Sequence, residues 1–451
     1  MRRALCLVVF AAAFHAVPAA AENATQLTPD ELRAAAMISL ETGDNNQAAA
    51  MAEALLKRDP DDVDALLLGS RAHRNGGRSE SARTLARRAW NRSKTDEQRY
   101  ASALVMAQAL SSGGQRTRAQ LWLRRAAQHA PNKRLKQVAV RDFNYVRNRN
   151  PLSLNLSFGI APKSNINNGS ANSVINLYGL PDFNLSGAAL ALSGMEYSSG
   201  LSLRYRVAQT STRATDLTLR AARYDYTLSS AAKALAPAAR GSDFAFASVA
   251  AGVTRRFINL ETRAETTASL EIGKSWYGRK PYSDFGRISL GHSRPLSRQS
   301  RLSFNLVQEF TRGPAAPHAN LTRLRADYAT RVSNGAVIGL SVQFSNSASS
   351  VASADYREGV ARVSYAPPRG KAGISTSYGL SLRKRAYPSS PFIVGERHDR
   401  EVSFDMNIGF DKIDSYGFTP TLTLSASQSR SNVGLFDIDN AGISFGIKSA
   451  F

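Results

Sequence analysis

The sequence predicts an N-terminal tetratricopeptide-like helical repeat domain followed by a transmembrane antiparallel β-barrel of about 14 strands. Three observations support this: a secretory-type segment at the start, alanine-rich helical pairs separated by glycines, and a long region of apolar and polar alternation that continues to the last residue. The predicted division is residues 1–21 for a signal peptide, 22–150 for the helical repeats and 151–451 for the barrel.

The first 21 residues have the layout of a secretory signal. Arg2 and Arg3 precede an apolar run over residues 4–15, and the small residues Ala19 to Ala21 offer a cleavage site. The single cysteine of the sequence, Cys6, lies inside this segment. We therefore expect no disulfide framework, thiol catalysis or cysteine-type zinc site in the exported chain.

The chain is strongly basic, with a formal net charge of +23 and a pI near 10.4. Its basic residues form no run interleaved with aromatic residues, and the chain is predicted to be exported, so we expect no nucleic-acid partner. An anionic bilayer or an acidic protein cargo suits the charge better. A stretch of about 20 apolar residues, as a membrane helix needs, does not follow the signal. The mean hydropathy of -0.28 is compatible with alternating barrel strands.

Residues 29–149 have the composition and periodicity of paired helices. Gly43, Gly77 and Gly114 are 34 and 37 residues apart, and each precedes a second alanine-rich helix. This spacing is typical of tetratricopeptide repeats, whose helix–turn–helix unit is about 34 residues long. We place most arginines, including Arg124 and Arg125, on solvated faces, with direct contact to a cargo as the alternative. The predicted helices are 29–42, 45–58, 62–75, 79–92, 97–112, 116–129 and 133–148.

The hydrophobic period changes after Pro151. Every even position from Leu152 to Ile160 is apolar and every odd position is small or polar, which predicts a β-strand with one apolar face. The same alternation recurs over about 300 residues, and closing such strands into a barrel in lipid removes the exposed edges. Short connections at 333–335 and 412–415 and long ones at 312–318, 345–354 and 386–397 then belong to the periplasmic and extracellular ends respectively.

Alternation alone gives a conflict in the number of strands. Fifteen candidate strands are found, and an odd number cannot leave both ends of the barrel on one side. Loop lengths place the conflict within residues 152–230, where the candidates are 152–161, 184–197, 200–211 and 215–227. Merging two of them gives 14 strands, whereas promoting Ser173 to Tyr178 to a strand gives 16.

The C-terminal segment alternates in the same way. Phe445, Ile447 and Phe451 stand at alternate positions, and Phe451 is the last residue. This pattern resembles the C-terminal strand signature of bacterial outer-membrane proteins, which the barrel-assembly machinery reads.

The faces opposite the apolar positions carry small hydroxylated and amide side chains. A lumen with this lining suits passage better than the tight binding of a small apolar ligand. Arg204, Arg206 and Arg383 either give the lumen a positive potential or pair with lumen carboxylates such as Asp405, and both alternatives stay open. Examples of the small polar positions are Ser153, Asn155, Ser157, Ser375, Ser377, Thr419, Thr421 and Thr423.

The sequence offers no convincing catalytic or metal-binding constellation. Residues 442–446 match the pattern G-x-S-x-G but lie inside the predicted last strand, where the strand–turn–helix context of a nucleophile is missing. The histidines after the signal show no metal-ligand spacing. We therefore predict that the protein is not an enzyme and uses no cofactor or metal.

A short segment after the first predicted strand stands out: Asn165, Ile166, Asn167, Asn168 and Gly169, preceded by Ala-Pro-Lys-Ser. An ordinary turn would explain it, since Asn tolerates positive φ. Together with the preceding repeats, however, the segment resembles the surface lipoprotein assembly modulator family, in which a tetratricopeptide domain precedes a barrel that opens with an "APxxNINN" type sequence.

The resemblance implies a barrel of 14 strands in the outer membrane of a Gram-negative bacterium, with the helical repeats in the periplasm. It implies an outer-membrane translocator that moves client lipoproteins, or soluble secreted proteins, to the cell surface, and it implies no catalytic residues. We expect the repeats to capture the client and the lumen, or a lateral seam between first and last strands, to pass it. Expected partners are the client, the barrel-assembly machinery and outer-membrane lipids, around a monomeric barrel. The alternative is a polysaccharide-export or general porin-type channel.

Overall fold

The computed structural model describes residues 27–449 apart from 178–179, 369 and 371–372. The predicted signal peptide lies outside the described residues. The chain divides into two compact units that meet between Gly114 and Gln115. The last two helices of the predicted repeat region, which ends at residue 150, belong to the second of these units.

The first unit consists of paired helices, as predicted. Its turns use glycine where the backbone enters the left-handed region: Gly43 has φ +88° and Gly77 has φ +79°. Both threonine N-caps, Thr28 and Thr95, form capping boxes with the residue three positions later. The helices are α1 Pro29–Thr42, α2 Asn45–Arg58, α3 Val63–Asn75, α4 Ser79–Arg92 and α5 Asp96–Ser112.

The interfaces of these helices are built on alanine. Ala36, Ala52 and Leu68 form one buried cluster, and Ala48 and Ala72 belong to a neighbouring one. Small side chains at these positions let the helix backbones approach closely. The periodicity of the sequence thus correctly predicts the core of the first unit.

Asp62 joins α1 to the start of α3. Its carboxylate accepts a hydrogen bond from the backbone amide of Ala65 at 3.1 Å. It also forms an ion pair with the Arg33 guanidinium at 2.5 Å. Burial acts to raise the pKa of Asp62, but the Ala65 amide and the Arg33 guanidinium together hold this pKa below its ordinary value. The charged carboxylate is therefore the form that caps the helix.

The second unit begins with two helices, α6 Arg116–Gln128 and α7 Lys133–Arg149, and continues into a closed antiparallel barrel. A short helix, α8 Ser230–Leu235, lies in one of its loops. Among the described residues, no helix is long and apolar enough to cross a membrane.

The barrel has 14 strands, as predicted. In chain order the strands of the second unit are β1 Leu152–Lys163, β2 Val174–Leu177, β3 Leu180–Asn184, β4 Gly194–Gln209, β5 Arg213–Leu228, β6 Phe246–Ile258, β7 Glu265–Tyr277, β8 Lys280–Pro295, β9 Ser300–Arg312, β10 Ala319–Arg331, β11 Val337–Ser349, β12 Tyr356–Ala366, β13 Ile374–Tyr387, β14 Arg397–Phe410, β15 Phe418–Ser431 and β16 Ile438–Ser449. All of them except the hairpin β2–β3 form the barrel, which β1 closes by pairing with both β4 and β16.

The conflict in strand number has a simple physical origin. The candidates 184–197 and 200–211 merge into the single strand β4, and residues 184–193 belong to the connection before it. The candidate at Ser173 to Tyr178 contains the strand β2, but β2 pairs with β3 in a hairpin outside the barrel. Alternation detects this hairpin without revealing which sheet it joins.

The two faces of the barrel differ as the alternation predicts. Outward positions carry exposed apolar side chains, such as Phe344 at 62% and Phe445 at 59% exposure. Inward positions carry mostly small or charged side chains, such as Ser157 and Asp216. An apolar outer surface of this extent requires a lipid surround.

The three longest connections of the barrel lie at one of its ends. The chain enters β1 and leaves β16 at what we call the turn end, which holds connections 210–212, 259–264, 296–299, 332–336, 367–373 and 411–417. The opposite, loop end holds the first loop 164–193, the α8 loop 229–245 and the last loop 432–437, with connections 278–279, 313–318, 350–355 and 388–396.

Candidate functional site

The strand register places the predicted lumen arginines on the inward face. Arg204 lies opposite Ser153 of β1, and Arg206 lies opposite Asp216 of β5. Arg383 lies opposite Glu401 of β14. These three side chains therefore share the interior surface with the serines and threonines named from the sequence.

Each of the three arginines has a carboxylate partner. Arg206 pairs with Asp216 at 2.5 Å and Arg204 approaches the same carboxylate at 3.8 Å. Arg383 pairs with Glu401. Asp405, the partner suggested from the sequence, instead pairs with Arg362 at 2.7 Å.

The pairing extends around the wall as a network. The Glu271 carboxylate forms ion pairs with Arg220 at 3.1 Å and with Arg287 at 3.3 Å. Arg287 also forms an ion pair with Glu309 at 2.6 Å. The Arg323 Nε is buried and has no hydrogen-bond partner among the described residues. Ion pairs thus connect inward side chains of β5, β7, β8 and β9.

The segment Asn165–Gly169 folds the first loop by hydrogen bonding to it. The Asn165 side chain donates to the Gly169 carbonyl and accepts from its amide, at 2.9 and 3.0 Å. The Asn167 side chain donates to the Leu190 carbonyl at 2.8 Å and accepts from the Leu192 amide at 2.9 Å. These four hydrogen bonds close the segment on itself and attach it to Leu190 and Leu192.

Two backbone requirements explain the rest of the segment. Asn168 has φ +52°, a conformation that asparagine tolerates better than most residues. A Cβ on Gly169 would lie 2.2 Å from the Leu190 carbonyl oxygen, so the chain needs glycine there. The signal noticed in the sequence therefore reports a folded loop.

The first loop is attached to the last loop. The Ala171 amide donates to the Asp437 carbonyl at 2.7 Å, and the Asn172 side chain donates to the Asp437 carboxylate at 3.0 Å and the Gly434 carbonyl at 3.2 Å. Just below, Ser164 and Ala441 exchange two hydrogen bonds of 3.0 and 2.8 Å. We call these contacts the loop clasp.

The first loop also packs against the α8 loop. Ile166 and the fully buried Leu192 join Leu228, Ala232 and Ala236 in one apolar cluster. Leu228 stands at an even position of β5, on the same inward face as Asp216. The cluster therefore occupies the inner side of the barrel mouth at the loop end.

The pairing of β1 with β16, which we call the seam, is interrupted. Along its other edge β1 pairs with β4 at every position from Leu152 to Lys163. Across the seam, the partners are Gly159–Gly446, Ile160–Phe445 and Lys163–Gly442. Residues 156–158, which this register places opposite 449–447, have no partner among the described residues of β16.

Glycine dominates the inward side of the seam. Gly159 faces Gly446, and Gly442 faces Lys163. Glycine contributes no cross-strand side-chain contact, and such contacts are the main stabilisation of a sheet. The two ends of the G-x-S-x-G match are these β16 glycines, so the pattern has a structural place that sequence reasoning missed.

Helices α6 and α7 are fixed to the barrel at the turn end. Arg124 donates to the carbonyls of Tyr416 and Gly417 at 3.0 and 2.9 Å and to the Ser449 Oγ at 2.8 Å. Its guanidinium also lies 4.3 Å from the Phe418 ring centroid. The Lys136 Nζ pairs with the Asp414 carboxylate at 2.6 Å. We call this set of contacts the helix bracket.

The helix bracket reaches both strands of the seam. The helix pair continues directly into β1 after Asn150, and Arg124 binds Ser449 near the end of β16. Sequence analysis placed Arg124 on a solvated face, because no local pattern distinguishes an arginine that binds a turn almost 300 residues away.

The residues of the predicted assembly signal are partly described. Phe445 and Ile447 lie on the outward face of β16, with exposed side chains. Phe451 lies outside the described residues. Within the described part of the chain, no group of histidine, cysteine and acidic residues is arranged to hold a metal ion.

Two models of known protein families match this chain. The model of the family described as surface lipoprotein assembly modifier matches residues 153–451, about two thirds of the chain. The chain belongs to this family. A tetratricopeptide repeat model matches residues 39–104, within the first unit. The family and the barrel make this an outer-membrane protein with a role in surface lipoprotein assembly, and they point to assembly or transport rather than catalysis.

Solved structures of outer-membrane proteins resemble the barrel at low sequence identity. OccAB3 of Acinetobacter baumannii is 9% identical, with 66% of this chain and 98% of that chain covered and a TM-score of 0.33. A loop L8 deletion mutant of OmpT from Vibrio cholerae is 7% identical, with coverage of 66% and 99% and a TM-score of 0.34. A bacterial polysaccharide outer membrane secretin is 7% identical, with coverage of 66% and 98% and a TM-score of 0.34. No curated protein matches the chain.

Proposed function

We propose that this protein moves client lipoproteins, or soluble secreted proteins, from the periplasm to the cell surface through the seam. The turn end faces the periplasm and the loop end faces outward, because short connections are typical of the periplasmic side of such barrels. The helical repeats then lie in the periplasm, where they capture the client before the barrel passes it.

The interrupted seam is the observation that carries the proposal. A strand edge without partners presents free amides and carbonyls, which an extended segment of another protein can bind. The seam register places residues 156–158 of β1 opposite residues 449–447 of β16, and these described residues are not paired with each other, whereas the other strand pairs of the barrel are matched along most of their length. A client strand that pairs there would enter the barrel wall from the side.

The alternative route through the lumen has less support. The apolar cluster around Leu192 fills the inner side of the mouth, and the wall carries the ion pairs of Asp216 and Glu271. Passage of a polypeptide through the lumen would require the first loop and the α8 loop to leave together. A seam needs only a local separation of two strands.

The helix pair gives the client a place to approach. Between residues 115 and 149 the sequence has ten lysines and arginines and one acidic residue, Asp142. Because Arg124 and Lys136 hold this pair against the barrel, its positive charge lies next to the seam. Acidic client segments would be attracted to this position.

The expected partners follow from the same arrangement. The outward Phe445 and Ile447 of β16 are available to the barrel-assembly machinery during insertion. The barrel is closed apart from the interrupted seam, which the client occupies in this proposal, so we expect a monomer. The family match favours lipoprotein assembly over the alternative of a polysaccharide-export or porin-type channel.

The experiment compares cells with and without the gene. Surface proteins released from intact cells by protease are identified by mass spectrometry, alongside extracellular polysaccharide and the uptake of small solutes. We expect one or a few surface proteins to disappear from the deletion strain and to return with the wild-type gene. Unchanged surface proteins combined with lost polysaccharide or lost uptake would overturn the proposal in favour of the channel alternative.

A further inference from the structure

Three basic residues stand side by side on the outward face near the loop end. In the register, Lys384 of β13 lies directly opposite Arg400 of β14, and Arg400 lies directly opposite Arg430 of β15. All three side chains are exposed. We call Lys384, Arg400 and Arg430 the cationic row.

This arrangement is unfavourable without an anion. Like charges directly opposite each other on neighbouring strands destabilise a sheet. Arg430 pairs with Asp439 at 2.7 Å, but Lys384 and Arg400 have no carboxylate partner among the described residues. Arg357 of β12, one strand further on, is exposed and likewise has no such partner in the described chain.

Two other outward cations at the same end have carboxylate partners. Arg223 of β5 pairs with Asp225 at 2.6 Å, and Lys274 of β7 pairs with Asp284 at 3.3 Å. Arg312 of β9 is also exposed at this end without an ion pair among the described residues. Strands β12 to β14, however, carry three such cations on adjacent strands, Arg357, Lys384 and Arg400.

The cationic row lies at the border of the apolar belt. The next outward pair toward the middle of the barrel is Leu382 and Val402, with 54% and 51% of their surfaces exposed. Basic side chains one step above an apolar surface lie at the level of lipid phosphates. This position distinguishes them from charges in solvated loops.

An apolar groove of about 510 Å³ adjoins the cationic row. Leu324 and Phe344 contribute its apolar side, and Arg357 and Lys384 line its charged side. Gly359 lies directly opposite Phe344, and even a Cβ there would come no closer to the ring than 3.9 Å. The missing side chain leaves open space beside the Phe344 ring in this groove.

We propose that Arg357, Lys384 and Arg400 bind the phosphate of a phosphorylated glycolipid of the outer leaflet, with one acyl chain in the groove. This assignment rests on the loop end facing outward, as in the proposed function. Guanidinium and ammonium groups provide the charge-assisted hydrogen bonds that phosphate accepts. The bound anion removes the repulsion between Lys384 and Arg400.

The test uses the purified full chain in a neutral detergent, with lipid A carrying two phosphates as the probe. The double variant Lys384→Gln with Arg400→Gln is compared with Arg223→Gln combined with Lys274→Gln, which removes the same charge from paired positions. Binding is measured by native mass spectrometry. We expect the first variant to bind lipid A roughly 30-fold more weakly than wild type and the second to bind it normally.

Two further arms identify the ligand. Gly359→Leu fills the groove without changing the charge, and we expect it to weaken lipid A binding several-fold. Phosphatidylglycerol and inorganic phosphate should bind more weakly than lipid A. Equal binding of phosphatidylglycerol, full displacement by inorganic phosphate, or unchanged binding by the Lys384 and Arg400 variant would each overturn the assignment. Because no surface display is measured, this result is independent of the test for translocation.

Discussion

The two edges of the last strand, β16, differ in how they are held. Toward β15, every residue from Ile438 to Ser449 has a partner in an unbroken ladder. Toward β1, the described ladder is reduced to three pairs around Gly159 and Gly446. Both edges belong to the same strand, so the difference comes from the partner and from the glycines that meet it.

This difference shows where the closure of the barrel is stabilised. The β15 edge is held along its length by the sheet itself. The β1 edge is held mainly at its ends, by the loop clasp around Asn172 on one side and the helix bracket around Arg124 on the other. A closure of this kind can open by releasing end contacts, without unzipping a full ladder.

A covalent link across the seam should have the largest effect. We predict that Ile160→Cys combined with Phe445→Cys, which are direct partners, forms a disulfide that lowers surface display of clients to the level of the deletion strain. The physical reason is that the strands can no longer separate. Display is measured by protease release from intact cells, before and after a membrane-impermeant reductant.

The matched control keeps the same residue of β16. Leu422→Cys with Phe445→Cys links β15 to β16 across the continuous ladder. The only native cysteine of the sequence is Cys6, in the predicted signal, so the introduced pair has no competing thiol in the described chain. Normal display by the seam-linked protein, or equal loss in both linked proteins, would argue against the seam as the route.

Disruption of the first loop should rank second. We predict that Gly169→Ala destabilises the loop by about 3 kcal/mol, because the new Cβ would press on the Leu190 carbonyl. Hydrogen exchange at the amides of Ile166 and Leu192 should then be about 100-fold faster.

Gly434→Ala in the last loop is the control for this change. Its Cβ would meet nothing closer than the Asn172 Nδ2 at 3.5 Å, an ordinary contact. Equal exchange rates in the two variants would show that the segment Asn165–Gly169 does not hold the loop.

Loss of the helix bracket should have an intermediate effect. We predict that Arg124→Ala weakens docking of α6 and α7 by about 2 kcal/mol, because hydrogen bonds from a guanidinium to two carbonyls and a hydroxyl are lost. Trypsin should cleave within residues 116–149 about 30-fold faster. Arg118→Ala is the control, since its described hydrogen bond goes to Gln115. Similar cleavage of both variants would contradict a specific role for Arg124.

The loop clasp alone should give the smallest effect. We predict that Asn172→Ala removes about 1 kcal/mol, because its side chain donates to Gly434 and Asp437. Exchange at the Ala171 amide should be about fivefold faster. Asn176→Ala is the comparison, because Asn176 is exposed and forms no side-chain hydrogen bond within the described residues. An unchanged exchange rate at the Ala171 amide after Asn172→Ala would show that the Asn172 side chain does not stabilise the loop clasp.

Sequence reasoning succeeds here wherever a local period carries the information. The apolar even positions from Leu152 to Ile160 are outward, and the glycines at 43 and 77 end helices as predicted. The number of strands follows once β4 is recognised as one element. Each of these features depends on residues close together in the chain.

The candidate site was less accessible, because it depends on pairs distant in sequence. The row of Lys384, Arg400 and Arg430 exists only in the register of three strands, which alternation does not define. Arg124 binds a turn on the far side of the barrel sequence. The segment Asn165–Gly169 was visible, yet its partners at Leu190 and Leu192 were not.

The glycine pair at the seam also bears on how the barrel forms. Gly159 and Gly446 are roughly 290 positions apart, because β1 and β16 are the paired strands that lie furthest apart in the sequence. Bringing such residues together has a high cost in loop-closure entropy. The pairing that is slowest to form is thus also the one with the fewest side-chain contacts. Unfolding of the barrel under mechanical load should therefore begin at the seam between β1 and β16. The contact that forms last during folding would then be the first to break.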